Sequence, residues 1–203
     1  MSALTSAAVT PRPGAVLADL LPATSTAARA RGREIALVVG GAALTGLAAQ
    51  ISVPVPGSPV PVTGQTFAAL LVGVGLGARR GFLSLALYAL AGMAGMPWFA
   101  EGTSGVGMPS FGYVLGMLLA ATVVGALARR GGDRGALRTA GTMAAGMAVT
   151  YAIGVPYLAL ATGMSLSEAV AAGLVPFLVG DALKAALAMG ALPAAWKLAG
   201  RRD

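Results

Sequence analysis

Long apolar stretches alternate along this chain with short segments that are rich in arginine, glycine or proline. A helix needs roughly 17–25 mostly apolar residues to cross a bilayer. Six stretches meet that criterion: residues 35–52, 62–78, 81–99, 110–128, 140–162 and 174–194. The pattern therefore predicts an all-α integral membrane protein whose six transmembrane helices form one bundle.

The segments that flank these spans define the predicted domain organisation. Residues 1–34 are predicted to be a largely flexible cytoplasmic tail, with a short apolar patch at 16–22 that could form an interfacial helix. Residues 35–198 form the predicted transmembrane domain, and residues 199–203 form a basic cytoplasmic C-terminus. The tail is not predicted to be a secretory signal, because its arginines follow the short apolar patch instead of preceding a longer one.

The basic residues predict the orientation of the six spans. An excess of Lys and Arg marks the cytoplasmic side of a membrane protein. With the N-terminus inside, the cytoplasmic segments contain every basic residue except Lys184: Arg12, Arg29, Arg31, Arg33, Arg79, Arg80, Arg129, Arg130, Arg134, Arg138, Lys197, Arg201 and Arg202. The external segments, around 53–61, 100–109 and 163–173, contain none. Both termini are therefore predicted to lie inside, in the cell membrane.

Composition narrows the function further. Hydrophobic residues make up 57% of the chain and charged residues only 10%, whereas globular proteins are about 25% charged. The chain has no Cys or His, which removes thiol nucleophiles, the usual zinc sites and histidine acid–base chemistry. No phosphate-binding G-x-x-x-x-G-K-[ST] loop is present. These features predict neither an enzyme nor an ATPase, and no metal, cofactor or nucleic acid; membrane lipid is the expected partner of the basic segments.

One charge pair lies inside a predicted span. Asp181 and Lys184 are the only charges in the sixth span, and their i, i+3 spacing places both on one helix face. A charge near the bilayer centre costs about 2.5–3.5 kcal/mol, and intramembrane ionisable residues usually line substrate paths. We therefore predict that the pair faces inward and binds a small polar ligand, because Asp supplies acceptors and Lys supplies donors.

Other polar side chains and two loops are candidates for the same site. Tyr88 is mid-span, where its hydroxyl needs a partner. Two segments on the same side of the membrane, the proline-rich 53–61 and the glycine-rich 99–111, are predicted to cover a site. The remaining polar residues considered in the spans are Gln50, Thr63, Gln65, Thr66, Tyr113, Thr150, Tyr151 and Tyr157.

Small residues at i, i+4 spacing predict close helix packing. Gly112 and Gly116 form one such pair in the fourth span. The first span has two, Ala36 with Gly40 and Ala42 with Gly46. Because one small face is enough to join a bundle, the other is predicted to receive a partner protein.

Four motifs give the chain a family resemblance: PVPVTGQT at 59–66, GMAGMP at 92–97, PSFGYVLG at 109–116 and GDALK at 180–184. In this order on a six-span scaffold, they resemble the biotin-specific substrate-capture subunits of energy-coupling-factor (ECF) transporters, the BioY family. The similarity covers nearly everything after residue 34. In two places this sequence differs from the family pattern: Gly40 replaces the second Ala of an Ala-xxx-Ala docking motif, and Phe111 replaces the first Gly of a Gly-Gly-Tyr.

The resemblance implies a biotin-binding S component that works with a transmembrane coupling subunit and two ATPase subunits. It implies that Asp181 and Lys184 bind the ligand and that Ala36 and Gly40 dock the coupling subunit. Together with the residue patterns above, the predicted substrate site is Asp181, Lys184, Tyr88, Gln65, Phe111 and Tyr113, and the predicted partner-docking residues are Ala36, Gly40, Ala42 and Gly46. Asp181 would accept from the ureido N–H groups of biotin, and Lys184 would donate either to the ureido oxygen or to the carboxylate. A stand-alone proton-coupled carrier of biotin or another vitamin is the alternative, since an intramembrane carboxylate can relay protons.

Overall fold

The computed structural model describes residues 14–22 and 24–199, so the rest of the predicted tail and the C-terminal residues 200–203 lie outside the described part. Seven α-helices follow one another along the described chain: α1 Ala27–Ala49, α2 Gln65–Leu76, α3 Ala78–Met93, α4 Phe111–Arg129, α5 Ala136–Thr162, α6 Leu166–Gly173 and α7 Leu178–Ala199. Two-residue strands, β1 Ser52–Val53 and β2 Val62–Thr63, pair antiparallel between α1 and α2. Short 3-10 turns occupy Leu17–Leu20, Ala100–Gly102 and Val175–Phe177.

Four helical stretches are long and apolar enough to cross a membrane: Ala27–Ala49, Phe111–Arg129, Ala136–Thr162 and the nearly continuous Leu166–Ala199. They confirm the all-α prediction and include four of the six predicted spans. The second and third predicted spans are helical but shorter, with 12 residues in α2 and 16 in α3. The predicted third span ends early because Gly95, at a φ of 103°, and Pro97 follow α3.

Local signals fix several helix ends. Thr26 caps α1 by accepting from the backbone N–H of Arg29 at 3.3 Å, so the helix begins within the predicted tail, eight residues before the predicted span. Ser165 and Glu168 form a capping box that starts α6, in a segment predicted to be a loop. Gly77, at a φ of 84°, allows the abrupt reversal from α2 to α3.

Helix α4 lies at the centre of the bundle and packs against α2, α3 and α5. Glycines make these approaches close. A Cβ at Gly116 would lie 2.6 Å from the carbonyl oxygen of Thr150 in α5, and one at Gly112 would overlap the side chain of Tyr157. The Gly112–Gly116 pair therefore packs α4 against α5 within the chain and does not serve a partner.

Replacing Gly116 by alanine is expected to destabilise the fold. The new methyl group meets backbone atoms of Thr150, which cannot rotate away, and overpacking of this kind costs about 1–3 kcal/mol. Thermal unfolding in detergent would show a lower midpoint. The matched control is Gly190→Ala in α7, where a Cβ would meet nothing within 4 Å and the midpoint should stay the same or rise. Equal midpoints for the two variants would contradict this account of the α4–α5 contact.

One end of the bundle carries most of the arginines, and we call it the basic end. It consists of residues 14–22, the α2–α3 junction, the α4–α5 loop and the C-terminal turns of α7. Residues 14–22, which include the apolar patch predicted as a possible interfacial helix, are held there: the side chain of Val16 is 0% exposed. Arg129 donates to the carbonyl of Gly14 at 3.1 Å, and Arg134 donates to the carbonyl of Ala15 at 3.0 Å.

Ion pairs and a buried carboxylate complete the basic end. Arg80 of α3 joins Asp19 at 2.8 Å and Glu34 of α1 at 2.7 Å. Asp133, in the α4–α5 loop, accepts from the indole N–H of Trp196 in α7 at 2.7 Å. Burial raises the pKa of the Asp133 carboxyl, although the hydrogen bond from Trp196 opposes the rise. These contacts tie α1, α3, α7 and the α4–α5 loop together at one end.

Candidate functional site

The intramembrane charge pair lies near the end of the bundle opposite the basic end. Asp181 is in the first turn of α7 and is only 6% exposed. The Lys184 Nζ lies 3.2 Å from Asp181 Oδ1, so the two charges form a mostly buried ion pair on one helix face, as their spacing predicts. Each charge also contacts a neighbouring helix.

Two hydroxyl groups from other helices complete this polar cluster. The Tyr151 hydroxyl, from α5, donates a hydrogen bond to Asp181 Oδ2. Lys184 Nζ donates to Thr66 Oγ1, from α2, at 2.7 Å. Asp181, Lys184, Tyr151 and Thr66 therefore form one network, which we call the polar cluster and which joins α7 to both α5 and α2. A buried ion pair needs such additional hydrogen bonds to offset its desolvation.

The polar cluster lines a cavity of about 30 Å³. Its other walls come from the β1–β2 connection, the α3–α4 connection and the helices around them: Val60, Pro61, Thr63, Gln65, Ala100, Ser110, Tyr113 and Phe177. Both loop segments predicted to cover a site contribute here, the first through Val60 and Pro61 and the second through Ala100 and Ser110. A water needs about 10–15 Å³ of such space, so the cavity has room for about two waters.

Hydrogen bonds fix two of the predicted site residues in this cavity. Gln65, the first residue of α2, is 5% exposed, and its Oε1 accepts from the Tyr88 hydroxyl at 2.8 Å. The Tyr113 hydroxyl donates to the carbonyl oxygen of Gly173 at the end of α6 at 2.7 Å. The Tyr113 ring stands edge-on to that of Tyr151, with centroids 6.3 Å apart.

The other two predicted site residues do not line the cavity. Tyr88 lies behind Gln65, where its ring packs against Trp98 and Phe99 at centroid distances of 5.2 Å. Phe111 is buried in the apolar core between Phe99 and Tyr157. The structure thus brings Asp181, Lys184, Gln65 and Tyr113 together, places Tyr88 one contact away, and assigns Phe111 to the core.

Tyr151 and Thr66 are among the polar residues of the predicted spans but not among the predicted site residues. The sequence nevertheless carries a signal for them. A hydroxyl inside a membrane needs a partner, and a buried Asp or Lys needs more than one, so unassigned hydroxyl groups are natural partners for the pair. Which hydroxyl groups meet the pair depends on helix packing.

The structure also separates the two small faces of α1. Ala42 is 1% exposed, and a Cβ at Gly46 would lie 2.9 Å from the ring of Trp98, so this face packs inside the bundle. Ala36 and Gly40 are exposed, and a Cβ at Gly40 would meet nothing within 4 Å. Of the four candidate docking residues, Ala42 and Gly46 therefore join α1 to the bundle, and Ala36 and Gly40 remain the candidates for docking a partner.

A solved structure has a similar fold. The chain matches a crystal structure described as the S-component for biotin from an ECF-type ABC transporter, with a TM-score of 0.75. The match covers 85% of this chain and 95% of that one at 19% sequence identity. At this identity the likeness shows a shared fold.

Relatives with named activities are similar in sequence. A probable biotin transporter BioY of Pyrococcus horikoshii is 36% identical over 132 residues, which are 64% of this chain and 76% of that relative. A probable biotin transporter BioY of Lysinibacillus sphaericus is 38% identical over 122 residues, covering 59% and 61% of the two chains. The biotin transporter BioY of Thermotoga maritima is 37% identical over 116 residues, covering 56% and 66%.

These relatives are named as transporters, and together with the apolar helices they support a multi-pass membrane protein. The family model described as the BioY family matches residues 23–201, which include all seven described α-helices. Of the described residues, only 14–22, which precede α1, lie outside the match. That match and the Pyrococcus relative confirm the resemblance inferred from the four motifs. The chain therefore belongs to the BioY family.

Proposed function

We propose that this chain binds biotin at the polar cluster and takes it up as the S component of an ECF-type ABC transporter. The observation that carries the proposal is the buried Asp181–Lys184 pair at the wall of a cavity beneath two loops. Biotin offers ureido N–H donors, a ureido oxygen and a carboxylate. These groups match the acceptors of Asp181 and the donors of Lys184.

In the proposed complex, biotin replaces hydrogen bonds that the polar cluster now makes within itself. The N–H groups of the ureido ring take the place of Tyr151 at Asp181, and an oxygen of the ligand takes the place of Thr66 at Lys184. The present cavity has room for about two waters, whereas biotin is several times larger, so the cavity walls must move outward on binding. We assign that movement to the Val60–Pro61 and Ala100–Ser110 walls, because loops adjust more readily than packed helices.

The proposal includes six crossings with the basic end in the cytoplasm. It is supported by the basic residues, because Lys184 alone among them lies within a predicted span. Two of the six crossings are made by α2 and α3, which are shorter than a standard span, together with the residues next to each helix. The polar cluster then faces the exterior, from which biotin enters.

A transmembrane coupling subunit and two ATPase subunits are the proposed partners. The chain contains no phosphate-binding loop, so ATP hydrolysis must come from another protein. Ala36 and Gly40 on the exposed face of α1 are the proposed contact with the coupling subunit, because small residues let helix backbones approach closely in a membrane.

Calorimetry on the purified chain tests the ligand. We expect biotin to bind and desthiobiotin to bind about 10–200-fold more weakly, because desthiobiotin keeps the ureido group but lacks the sulfur atom that closes the second ring. Thiamine, which has neither a ureido group nor a carboxylate, should give no binding heat. If thiamine binds as tightly as biotin, or if biotin gives no heat in protein that unfolds cooperatively, the proposed function is wrong.

A further inference from the structure

A second concave surface begins at the basic end of the bundle and shares no lining residue with the cavity at the polar cluster. Helices α1 and α3 enclose a groove of about 780 Å³ between them. Its long walls are apolar and include Ile35, Val39, Leu83, Leu87 and Leu90. Four of these side chains are at least 40% exposed, with Ile35 at 64% and Leu90 at 62%. The groove is therefore an unfilled apolar surface on the outside of the bundle.

The end of this groove nearest the basic end is positively charged. Arg80 lines it, but its charge is balanced by Asp19 and Glu34. Arg31 and Arg79 also line it, and within residues 14–22 and 24–199 neither makes a hydrogen bond or an ion pair with another side chain. In the described part of the chain, two arginine side chains are thus available to bind an anion at the mouth of an apolar groove.

The dimensions of the groove suit one elongated amphipathic molecule. From Arg31 to Val39 the α1 wall extends about 12 Å, and from Arg79 to Leu90 the α3 wall extends about 16 Å, at 1.5 Å per helical residue. A ligand would need an anionic group at one end and an apolar chain of this length. Guanidinium groups bind phosphate well because their donors match its oxygens.

The composition of the walls distinguishes a lipid from a protein helix. Helices that pack in membranes use small residues at the contact. Ala36 and Gly40, the small residues of the exposed α1 face, do not line the groove. Its walls include the small residues Ala30 and Ala86, but branched side chains predominate: Ile35, Val38, Val39, Leu83, Leu87 and Leu90. Flexible acyl chains can fill the irregular space between such side chains, but a helix backbone cannot approach them closely.

We propose that this groove binds an anionic phospholipid. The phosphate lies between Arg31 and Arg79, and an acyl chain follows the apolar walls toward Leu90. Basic pockets between transmembrane helices are suited to anionic head groups, and each arginine near such a lipid contributes a factor of about five to binding. This site is separate from the polar cluster, and lipid binding to it can be measured without biotin.

Lipid retention by the full chain tests the proposal. The protein is purified in detergent, mixed with phosphatidylglycerol or phosphatidylcholine, and examined by native mass spectrometry. We expect phosphatidylglycerol to be retained preferentially, and the double variant Arg31→Gln/Arg79→Gln to lose about 25-fold in its retention. The matched control Arg130→Gln/Arg138→Gln removes the same charge at the same end, outside the groove, and should retain the lipid as the wild type does.

A bulky variant tests the acyl-chain part of the site. Ala86 lines the groove and is half-buried, so Ala86→Trp should fill it and lower retention of both lipids while leaving the arginines in place. Thermal unfolding confirms that the variant folds. An equal loss of phosphatidylglycerol retention in the two double variants would overturn the proposal. It would mean that the overall positive charge of the basic end, and not the groove, attracts the lipid. Unchanged lipid retention in Ala86→Trp with loss of a co-purifying coupling subunit would also overturn it, because the groove would then hold a protein helix.

Discussion

Replacing Asp181 by asparagine is expected to weaken biotin binding by at least about 100-fold. Asparagine keeps the shape of the side chain but exchanges one acceptor oxygen for an NH₂ donor, which then faces either the Tyr151 hydroxyl or the Lys184 ammonium. It also leaves the Lys184 charge buried without its counter-ion. Truncating one partner of a hydrogen-bonded charge pair buried at a binding interface costs about 2–5 kcal/mol of binding free energy, and a 100-fold loss corresponds to about 2.8 kcal/mol.

Lys184→Met is expected to have an effect of similar size, because it leaves the Asp181 carboxylate buried without its cation. Calorimetry with biotin measures both variants. If Lys184 meets the biotin carboxylate, biotin methyl ester should already bind poorly to the wild type. If it meets the ureido oxygen, the ester should bind nearly as well as biotin. The comparison therefore chooses between the two ligand orientations.

The chain provides a matched control for these substitutions. Asp133 is also a buried carboxylate with one hydrogen bond to an aromatic side chain, but it lies at the basic end, away from the cavity. Asp133→Asn makes the same chemical change and should leave biotin affinity unaltered. Wild-type affinity in both Asp181→Asn and Lys184→Met would remove the polar cluster from the binding site. An equal loss in Asp133→Asn would show that the effect comes from stability.

Gly40→Leu is expected to reduce co-purification of the coupling and ATPase subunits by at least about tenfold. Helix–helix contacts at small residues depend on close backbone approach, and a leucine side chain holds the two helices apart. Gly40 is exposed and has no neighbour near its Cβ position, so the substitution should not disturb the bundle itself. Ala36→Leu, one turn earlier on the same face, should act in the same direction.

Biotin binding by the isolated variants separates docking from substrate capture. Both bulky variants should bind biotin as the wild type does, because Ala36 and Gly40 lie outside the cavity. Gly141→Leu is the control: Gly141 is an exposed glycine of α5, also with nothing near its Cβ position, and its replacement should leave assembly intact. Full recovery of the complex in both α1 variants, or an equal loss in Gly141→Leu, would refute docking through this face.

The helices themselves were largely predictable, and the differences have local causes. The apolar pattern marks only the membrane-facing part of α1, so its first turns, which carry Arg29, Arg31 and Arg33, were assigned to the tail. The eight-residue α6 is too short to stand out by hydropathy, although Ser165 and Glu168 give the S-x-x-E pattern of a capping box. The apolar patch within residues 14–22 is too short to predict a span, and its packing depends on tertiary structure because Val16 is buried in a cluster with residues of α2, α4, α5 and α7.

The sequence by itself determined the helical class, the concentration of arginines at one end and the position of Asp181 and Lys184 on one helix face. These properties follow from local composition and from the 3.6-residue period of the helix. Only the tertiary structure decided that Tyr151 and Thr66, 30 and 118 residues from their partners, complete the polar cluster. It also decided that Phe111 belongs to the core and that Ala42 and Gly46 face inward. Such assignments depend on how each helix is rotated against its neighbours, and a helix that is apolar on all sides carries no pattern that fixes its rotation.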